Sequence, residues 1–525
     1  MKLERPRPLR PRQLLAPQTP GDGPSRAGAD GAGRSQAAGA ERGRFDEWVQ
    51  AIKARLGAET SFDIIVRNIQ VAGRDGAFIH LDGFMLATPA MRVLQALMQA
   101  EPSALEGDPR RQLEQKLVSY FEVKWVQKPE EAADEVLVGQ AALVVAGVDQ
   151  ILLIDLRRYP ARSVDEPPIE RVTRGSREGF VETGLLNVNM VRRRLRDPHL
   201  RVEALKVGIR SKTDVFLLYV EDLAPKDLVD EIRRRLVSIR ADALPMGSKN
   251  LEEYLSGSRF NPFPRVRYTE RPDVTASHLL EGYVAVIVDT APSAMILPAN
   301  VWQFTQHAEE YVQTPVVGTY LRWVRFFAIV MSVVLVPLWV ALVSQMPHLP
   351  PWLGWMGPRK PSVFPVWLQL LLLTLGLDII RMALIHTPEA LSTSIGLVGA
   401  VLLGQFAVQT GLFVNETILY SALAAIGSFT TPALEFALAL RLFQYPLIAL
   451  AAWQGLWGLA AGLTLMLYGM ALTRSFFLPY LWPLAPFDGK ALSRLLMRYP
   501  IPAVRTSKPP SPSTKETKEA SPGPS

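Results

Sequence analysis

Charged side chains almost vanish from this sequence between residues 326 and 473. Up to Arg325 they alternate with apolar residues as in a water-soluble chain, so the protein has two unlike parts. The uncharged run has too few polar groups to cover itself in water, and a bilayer is the solvent that fits it. It divides into five stretches: 326–344, 364–377 (prolonged by Asp378, Ile379 and Ile380 up to Arg381), 393–413, 417–434 and 442–473. A helical span takes roughly 20 apolar residues, so the second and fourth are short and the fifth is long. Arg322 and Arg325 before the first stretch, and Lys490, Arg494, Arg498 and Arg505 after the last, predict that both flanks are cytoplasmic. Two cytoplasmic flanks need an even number of crossings. The spacing favours four full crossings plus one short segment; the alternative is that 442–484 crosses twice around Arg474.

A chain of 525 residues is too long for one hydrophobic core. Residues 1–43, rich in Pro, Arg, Gly and Ala, predict a disordered arm, and they lack the apolar core of a signal peptide. The soluble region that follows is expected to be α/β, in two subdomains, 44–160 and 161–320. "FDIIVRNIQV" and "GAFIHLDGFM" read as strands around a turn at 73–76, and "AALVVAGVDQILLIDL" as a buried hairpin. "RVEALKVGIRSKTDVFLLYVE" is a second strand pair and "PKDLVDEIRRRLVSI" an amphipathic helix. A multi-pass helical domain (321–485), a cytoplasmic segment (486–503) and a disordered tail (504–525) complete the expected order. The fold class is α+β followed by an α-helical membrane domain.

The absence of cysteine excludes disulfides, iron–sulfur clusters, thiolate zinc sites and a cysteine nucleophile. The six histidines form no short-spaced ligand pair. No glycine loop for phosphate and no nucleophile beside a base is present, so no catalytic residue, metal or cofactor is assigned and an enzyme is the least favoured class. The net charge of +7 gathers in the N-terminal arm and near the membrane boundaries. It lacks a basic face interleaved with aromatics, so nucleic acid is not an expected partner.

Residues 166–195, "EPPIERVTRGSREGFVETGLLNVNMVRRRL", combine dense charge with apolar spacing. Arg174, Arg177, Arg192, Arg193 and Arg194 offer fork-shaped donors for an anion. Glu166, Glu170, Glu178 and Glu182 lie among them and offer an internal use for the same donors. A structural charged brace, built on a helix from about Arg177 to Leu195 with Glu178 and Glu182 four apart, is therefore favoured.

Within the third apolar stretch, Gly396, Ala400, Gly404, Ala407 and Gly411 fall on one helical face and permit close helix packing. Val398, Val401, Leu402, Gln405 and Gln409 take the other face. They read either as interhelical hydrogen-bonding positions or as the lining of a pore with an aliphatic constriction. Gly458 and Gly462 in the fifth stretch form a second small-residue packing pair. Asp378 and Arg381, one turn apart, are expected to pair. With Glu416, Glu435 and Arg441, which border the fourth stretch, they are charges within or at the edge of the membrane, and hence functional candidates.

The 166–195 stretch resembles the signature of the GerA family, the A subunits of bacterial spore germination receptors. "GLVGAVLLGQFAVQTGL", "AAIGSFTTPALEFALALRLFQYP" and the closing "SFFLPYLWPLAPFD" are similar to the family's membrane part, so the resemblance covers about residues 45–505. It implies a multi-pass protein of the spore inner membrane or cell membrane, with the N-terminal domain and C-terminal tail cytoplasmic. It further implies a subunit of an ion-conducting complex that helps start germination, with a homo-oligomeric ring, other germination membrane proteins, small ions and the lipid bilayer as partners. That role tips the face of Val398 and Gln405 toward a pore. Asp289-Thr290-Ala291-Pro292 stand where the nutrient receptors have a glycine-containing turn, a departure that implies an auxiliary germination protein. A non-conducting scaffold or signal-transducing subunit is the alternative. A secondary transporter is a second one, although no two-fold repeat is visible in the spans.

Overall fold

The structure, a computed structural model, describes residues 31–118, 122–159, 170–257, 260–345, 354, 356–386 and 407–499. It divides into two compact units. One comprises Met1–Pro167, Arg177–Leu255 and Thr269–Met295; the other comprises Pro168–Ser176, Ser256–Tyr268 and Ile296–Ser525.

In the first unit, α1 (Gly31–Leu56) leads into the antiparallel hairpin of β1 (Ile64–Val71) and β2 (Arg74–Leu81). Helix α1 starts inside the arm expected to be disordered through residue 43; Ala37, Ala38, Ala40 and Glu41 there are strong helix formers. The hairpin turn is tighter than the expected 73–76. Ala72 and Gly73 alone close it, both at positive φ (50° and 77°), which matches the twist of a two-residue connection. Helices α2 (Ala87–Gln99), α3 (Pro109–Gln112) and α4 (Pro129–Val138) and strands β3 (Val123–Val126), β4 (Ala141–Val145) and β5 (Ile151–Ile154) follow. The sheet order is β1-β2-β4-β5-β3, antiparallel throughout. Strands β4 and β5 are unbroken apolar runs because both sheet faces are covered. Leu143, Val145, Leu152 and Ile154 pack with Val93 and Leu97 of α2. Ala142, Val144, Ile151 and Leu153 pack with Ile52 and Leu56 of α1 and Val136 of α4.

The second sheet joins β6 (Leu200–Val207), β7 (Thr213–Val220), β8 (Arg267–Thr269), β9 (Val284–Val288) and β10 (Ala294–Leu297) in the order β6-β7-β9-β10-β8. Helices α5 (Gly184–Arg194) and α8 (Pro272–Leu280) cover one face, placing Val188, Val191 and Leu279 on Val202, Leu218 and Ile287. Helices α6 (Lys226–Ser238) and α7 (Ser248–Ser256) lie between β7 and β8 in sequence. The first sheet and strands β6, β7 and β9 of the second, expected in separate subdomains meeting near residue 160, fall in one compact unit. The Phe62 amide donates to the Val202 carbonyl at 3.0 Å, and its ring stacks on Phe216 with centroids 5.1 Å apart. The segment that enters the first sheet is thus part of the second sheet's core.

The second unit is helical: α9 (Glu309–Val312), α10 (Pro315–Ser344), α11 (Val366–His386), α12 (Ala407–Gln409), α13 (Asn415–Phe429), α14 (Leu434–Leu472) and α15 (Gly489–Leu496), with a small hairpin of β11 (Arg474–Ser475) and β12 (Leu478–Pro479). Three of these helices are long and apolar enough to cross a membrane: Pro315–Ser344, Val366–Ala383 and Leu434–Leu472.

Helix α14 is not one rod. Gly455 stands at φ 59°, ψ −133°, outside helical geometry. In a straight helix Gly458 and Leu450 would lie about 12 Å apart, at 1.5 Å of rise per residue. Instead Gly458 lies directly against the Leu450 carbonyl, and Gly462 faces the side chain of Leu447. The arms 434–454 and 456–472 therefore fold back on each other. The fifth stretch was expected as one span or as two around Arg474; the chain reverses at Gly455, where a left-handed φ is free only to glycine.

The first arm runs parallel to α10: Gln444 donates to the Ser332 carbonyl at 3.1 Å, and Gly455 sits beside Gln345. Helix α13 runs against α10, with Gly427 on Ala328 and Tyr420 on Trp339. Helices α11 and α13 run parallel, since Gln369 meets Thr417 at one end and Arg381 meets Ser428 at the other.

Candidate functional site within the helical bundle

Asp378 sits near the middle of α11. Its expected partner was Arg381, on the same helix. The structure pairs it with Arg441 of α14, whose Nε donates to Asp378 Oδ1 at 3.0 Å. One turn beyond Arg441, the Tyr445 hydroxyl donates to Asp378 Oδ2 at 2.6 Å. The guanidinium also donates to the Thr374 carbonyl at 2.9 Å and to Gln444 Oε1 at 2.8 Å. Through Gln444 the network reaches Ser332 of α10. Arg441 and Tyr445, one turn apart on the facing helix, together give both carboxylate oxygens of Asp378 a donor, which one arginine on its own helix does not. Arg381 instead donates to Ser428 Oγ at 3.1 Å and lies over the Phe429 ring at 5.0 Å. The pair is neutral in sum, and each guanidinium nitrogen and each carboxylate oxygen has a hydrogen-bond partner, which favours holding charge in a low-dielectric bundle.

A second polar node was not singled out from the sequence, although a glutamine in an apolar run is a signal for one. Gln369, fully buried, donates to Ser362 Oγ and the Phe364 carbonyl, both at 2.7 Å. Its Oε1 accepts from the Val414 amide and the Thr417 hydroxyl, both at 2.9 Å. It ties the starts of α11 and α13 together.

Glu435 lies exposed in the first turn of α14, where the helix dipole favours a carboxylate, and pairs with no described residue. Gly458 and Gly462 line the inner side of the α14 hairpin. Val398, Val401, Leu402 and Gln405, and with them Gly396, Ala400 and Gly404, lie outside the described residues. Gln409 ends the short α12 and is exposed. Gly411, expected on the helical packing face, stands in a turn at φ 73°, and its carbonyl accepts from the Val363 amide at 3.2 Å.

The 166–195 stretch contributes to both units. Its helix begins at Gly184 rather than near Arg177. Asp289 accepts from the Gly184 amide at 2.8 Å, and Asn187 holds the preceding residues extended by bonding both the amide and the carbonyl of Val181. Arg192 is buried and bidentate on buried Asp63, at 2.9 and 3.1 Å, and also reaches the Leu200 carbonyl at 3.1 Å. Arg193 and Arg194 both pair with Glu178, and Arg193 also lies over the Tyr159 ring at 4.7 Å. Arg174, Arg177 and Glu182 were expected in the same brace. They are exposed, and no side chain of the three pairs with a described residue; the extended backbone before Gly184 breaks the helical spacing that would have joined them. In the second unit, Thr173 docks on α9: its amide donates to Glu309 Oε2 at 2.9 Å and its hydroxyl to Oε1 at 2.5 Å. Partial burial pushes the Glu309 carboxyl up, but these bonds and the Gln313 amide outweigh it and hold the carboxyl below its ordinary value.

The Bacillus/Clostridium GerA spore germination protein family matches residues 50–510. The chain belongs to this family. It is 43% identical to "Stage V sporulation protein AF" of Bacillus subtilis (strain 168) over 86% of this chain and 92% of that one. It is 30% identical to "Spore germination protein KA" of the same organism over 84% and 82% of the two chains. The crystal structure of the N-terminal domain of the A subunit of the Bacillus megaterium spore germinant receptor GerK3 is 28% identical, covering 47% of this chain and 92% of that one, with a TM-score of 0.38. This GerA-family chain is thus a membrane protein with an N-terminal region of two sheets and a helical C-terminal region.

Proposed function

We propose that this GerA-family protein is a germination membrane protein that assembles with copies of itself into an ion-conducting complex and promotes ion release. One observation carries the reading. Helices α11 and α13 run parallel, so the end of α11 and the start of α13 lie at opposite ends of a bundle locked by the Asp378–Arg441 pair. The sequence that joins them offers a small face for packing and Val398, Val401, Leu402, Gln405 and Gln409 for lining a path. The α14 hairpin puts both ends of that element on one side. The basic residues Arg322, Arg325 and Arg474 near those ends support a cytoplasmic reading of the N-terminal region and the C-terminal segment. Other germination membrane proteins are its natural partners, as the names of its relatives suggest.

Ion efflux from liposomes containing the purified protein tests the proposal. Val401→Ala or Leu402→Ala should widen an aliphatic constriction and raise the leak, and Gln405→Leu should lower it. Gly404→Leu should prevent assembly. An intact oligomer without ion flux would favour the non-conducting scaffold, a reading supported by the pairing of Asp378 with Arg441 within one chain.

A further inference from the structure

Helix α15 is short, and its sides are sharply unlike. At 100° per residue, Ala491, Leu492, Leu495 and Leu496 share one side, and Lys490, Ser493 and Arg494 the other. Asp488 caps it, accepting from the amides of Lys490 and Ala491, both at 3.1 Å. Ala491, Leu492, Leu495 and Leu496 are half-buried, and the flanking Phe487 (74%) and Met497 (55%) are largely exposed. Together they leave an apolar strip partly open, flanked by two exposed large side chains.

The anchoring of α15 fixes its level. Arg322, in the opening turns of α10, donates to the Leu495 carbonyl at 2.6 Å and the Arg494 carbonyl at 3.4 Å, the orphan carbonyls of the α15 C-terminus. Arg322 is itself held by fully buried Glu310 at 2.7 Å. The Arg498 amide donates to Thr319 Oγ1 at 3.1 Å, and its guanidinium to the Tyr311 carbonyl at 2.6 Å. Thr319 and Arg322 directly precede the apolar run of α10, so α15 is clamped where that helix emerges from the hydrocarbon. An apolar helix side at this level faces the boundary between headgroups and acyl chains. Lys490 and Arg494, exposed on the opposite side, match anionic headgroups.

We propose that α15 is an interfacial helix that inserts Leu492, Leu495 and Leu496, with Phe487, into the headgroup boundary of an anionic leaflet. Arg322 and Glu310 connect this lipid contact to α9 and the base of the first span. The contact does not depend on ion conduction.

The chain has no cysteine, so single nitroxide labels can be placed without background. The full chain is reconstituted in phosphatidylcholine vesicles with or without phosphatidylglycerol. Labels at Leu492→Cys and Leu496→Cys should relax with oxygen rather than with a water-soluble nickel chelate, and a label at Lys490→Cys should do the reverse. Equal access of the chelate to 490 and 496 overturns the proposal. So does a label at 496 shielded from both reagents and broadened by a neighbouring copy, which would place protein on that face. If a label disturbs folding, hydrogen exchange of the unlabelled chain over 489–497 decides. It should slow when phosphatidylglycerol is added; unchanged exchange refutes the anionic preference.

Discussion

Replacing Arg192 by methionine isolates the charged core of the 166–195 stretch. Arg192 and Asp63 are 1% and 0% exposed, so removing the guanidinium leaves a carboxylate with no water and no counter-charge. Breaking a buried pair from one side costs roughly 3–5 kcal/mol. At 1.36 kcal/mol per tenfold, opening of the surrounding structure should become about a hundred to several thousand times more frequent. Hydrogen exchange of the full chain reads this at the Phe62 amide, bonded to Val202, and the Asp82 amide, bonded to the Asp63 carbonyl. The companion variant Asp63→Leu/Arg192→Met should recover most of the loss, because apolar replacements of a buried pair are often neutral. A double variant as exchange-labile as Arg192→Met, or a single variant that changes protection less than about tenfold, would refute the account.

Four further outcomes follow from the geometry. A Cβ at Gly458 would overlap the Leu450 carbonyl, so Gly458→Ala should cost about 1–3 kcal/mol of bundle stability, read as a lower melting temperature in detergent. Thr290 stands at φ 73°, which costs an L-residue roughly 1–2 kcal/mol that glycine avoids; Thr290→Gly should raise the melting temperature of the first unit. The Glu309 carboxyl is depressed, so its hold on Thr173 is complete above the ordinary carboxylate pKa of about 4.3 and is lost as pH falls through the lower folded value; Glu309→Gln should flatten that acid dependence of Thr173 amide protection. Arg441→Leu should strand Asp378 and disperse the purified protein on size exclusion, while Asp378→Leu/Arg441→Leu should restore a single species.

The sequence made the two-part architecture legible because charge density and strand alternation are local properties. The apolar runs of β4 and β5 announced a doubly covered sheet for the same reason. What stayed hidden was pairing at a distance. Nothing near Arg192 names Asp63 as its partner rather than Glu178, and the choice follows from burial that only the assembled core creates. Asp378 likewise has a plausible partner three residues away and a better one on another helix. The reversal at Gly455 was masked by uniform hydropathy on both sides. Only the small residues at 458 and 462 hinted at a tight approach, and they do not say whether the neighbour is another helix or the same one folded back.

The Asp378–Arg441 pair also imposes an order on biogenesis. The acid precedes its partner by 63 residues, so on a chain growing at about 5–20 residues per second it waits several seconds before the guanidinium is made. Through that interval Asp378 has only Arg381 of its own helix as a counter-charge, which favours keeping that helix at the edge of the translocon. Arrival of Arg441 and Tyr445 then releases α11 into lipid, which makes nascent-chain length the variable that decides when this part of the bundle closes.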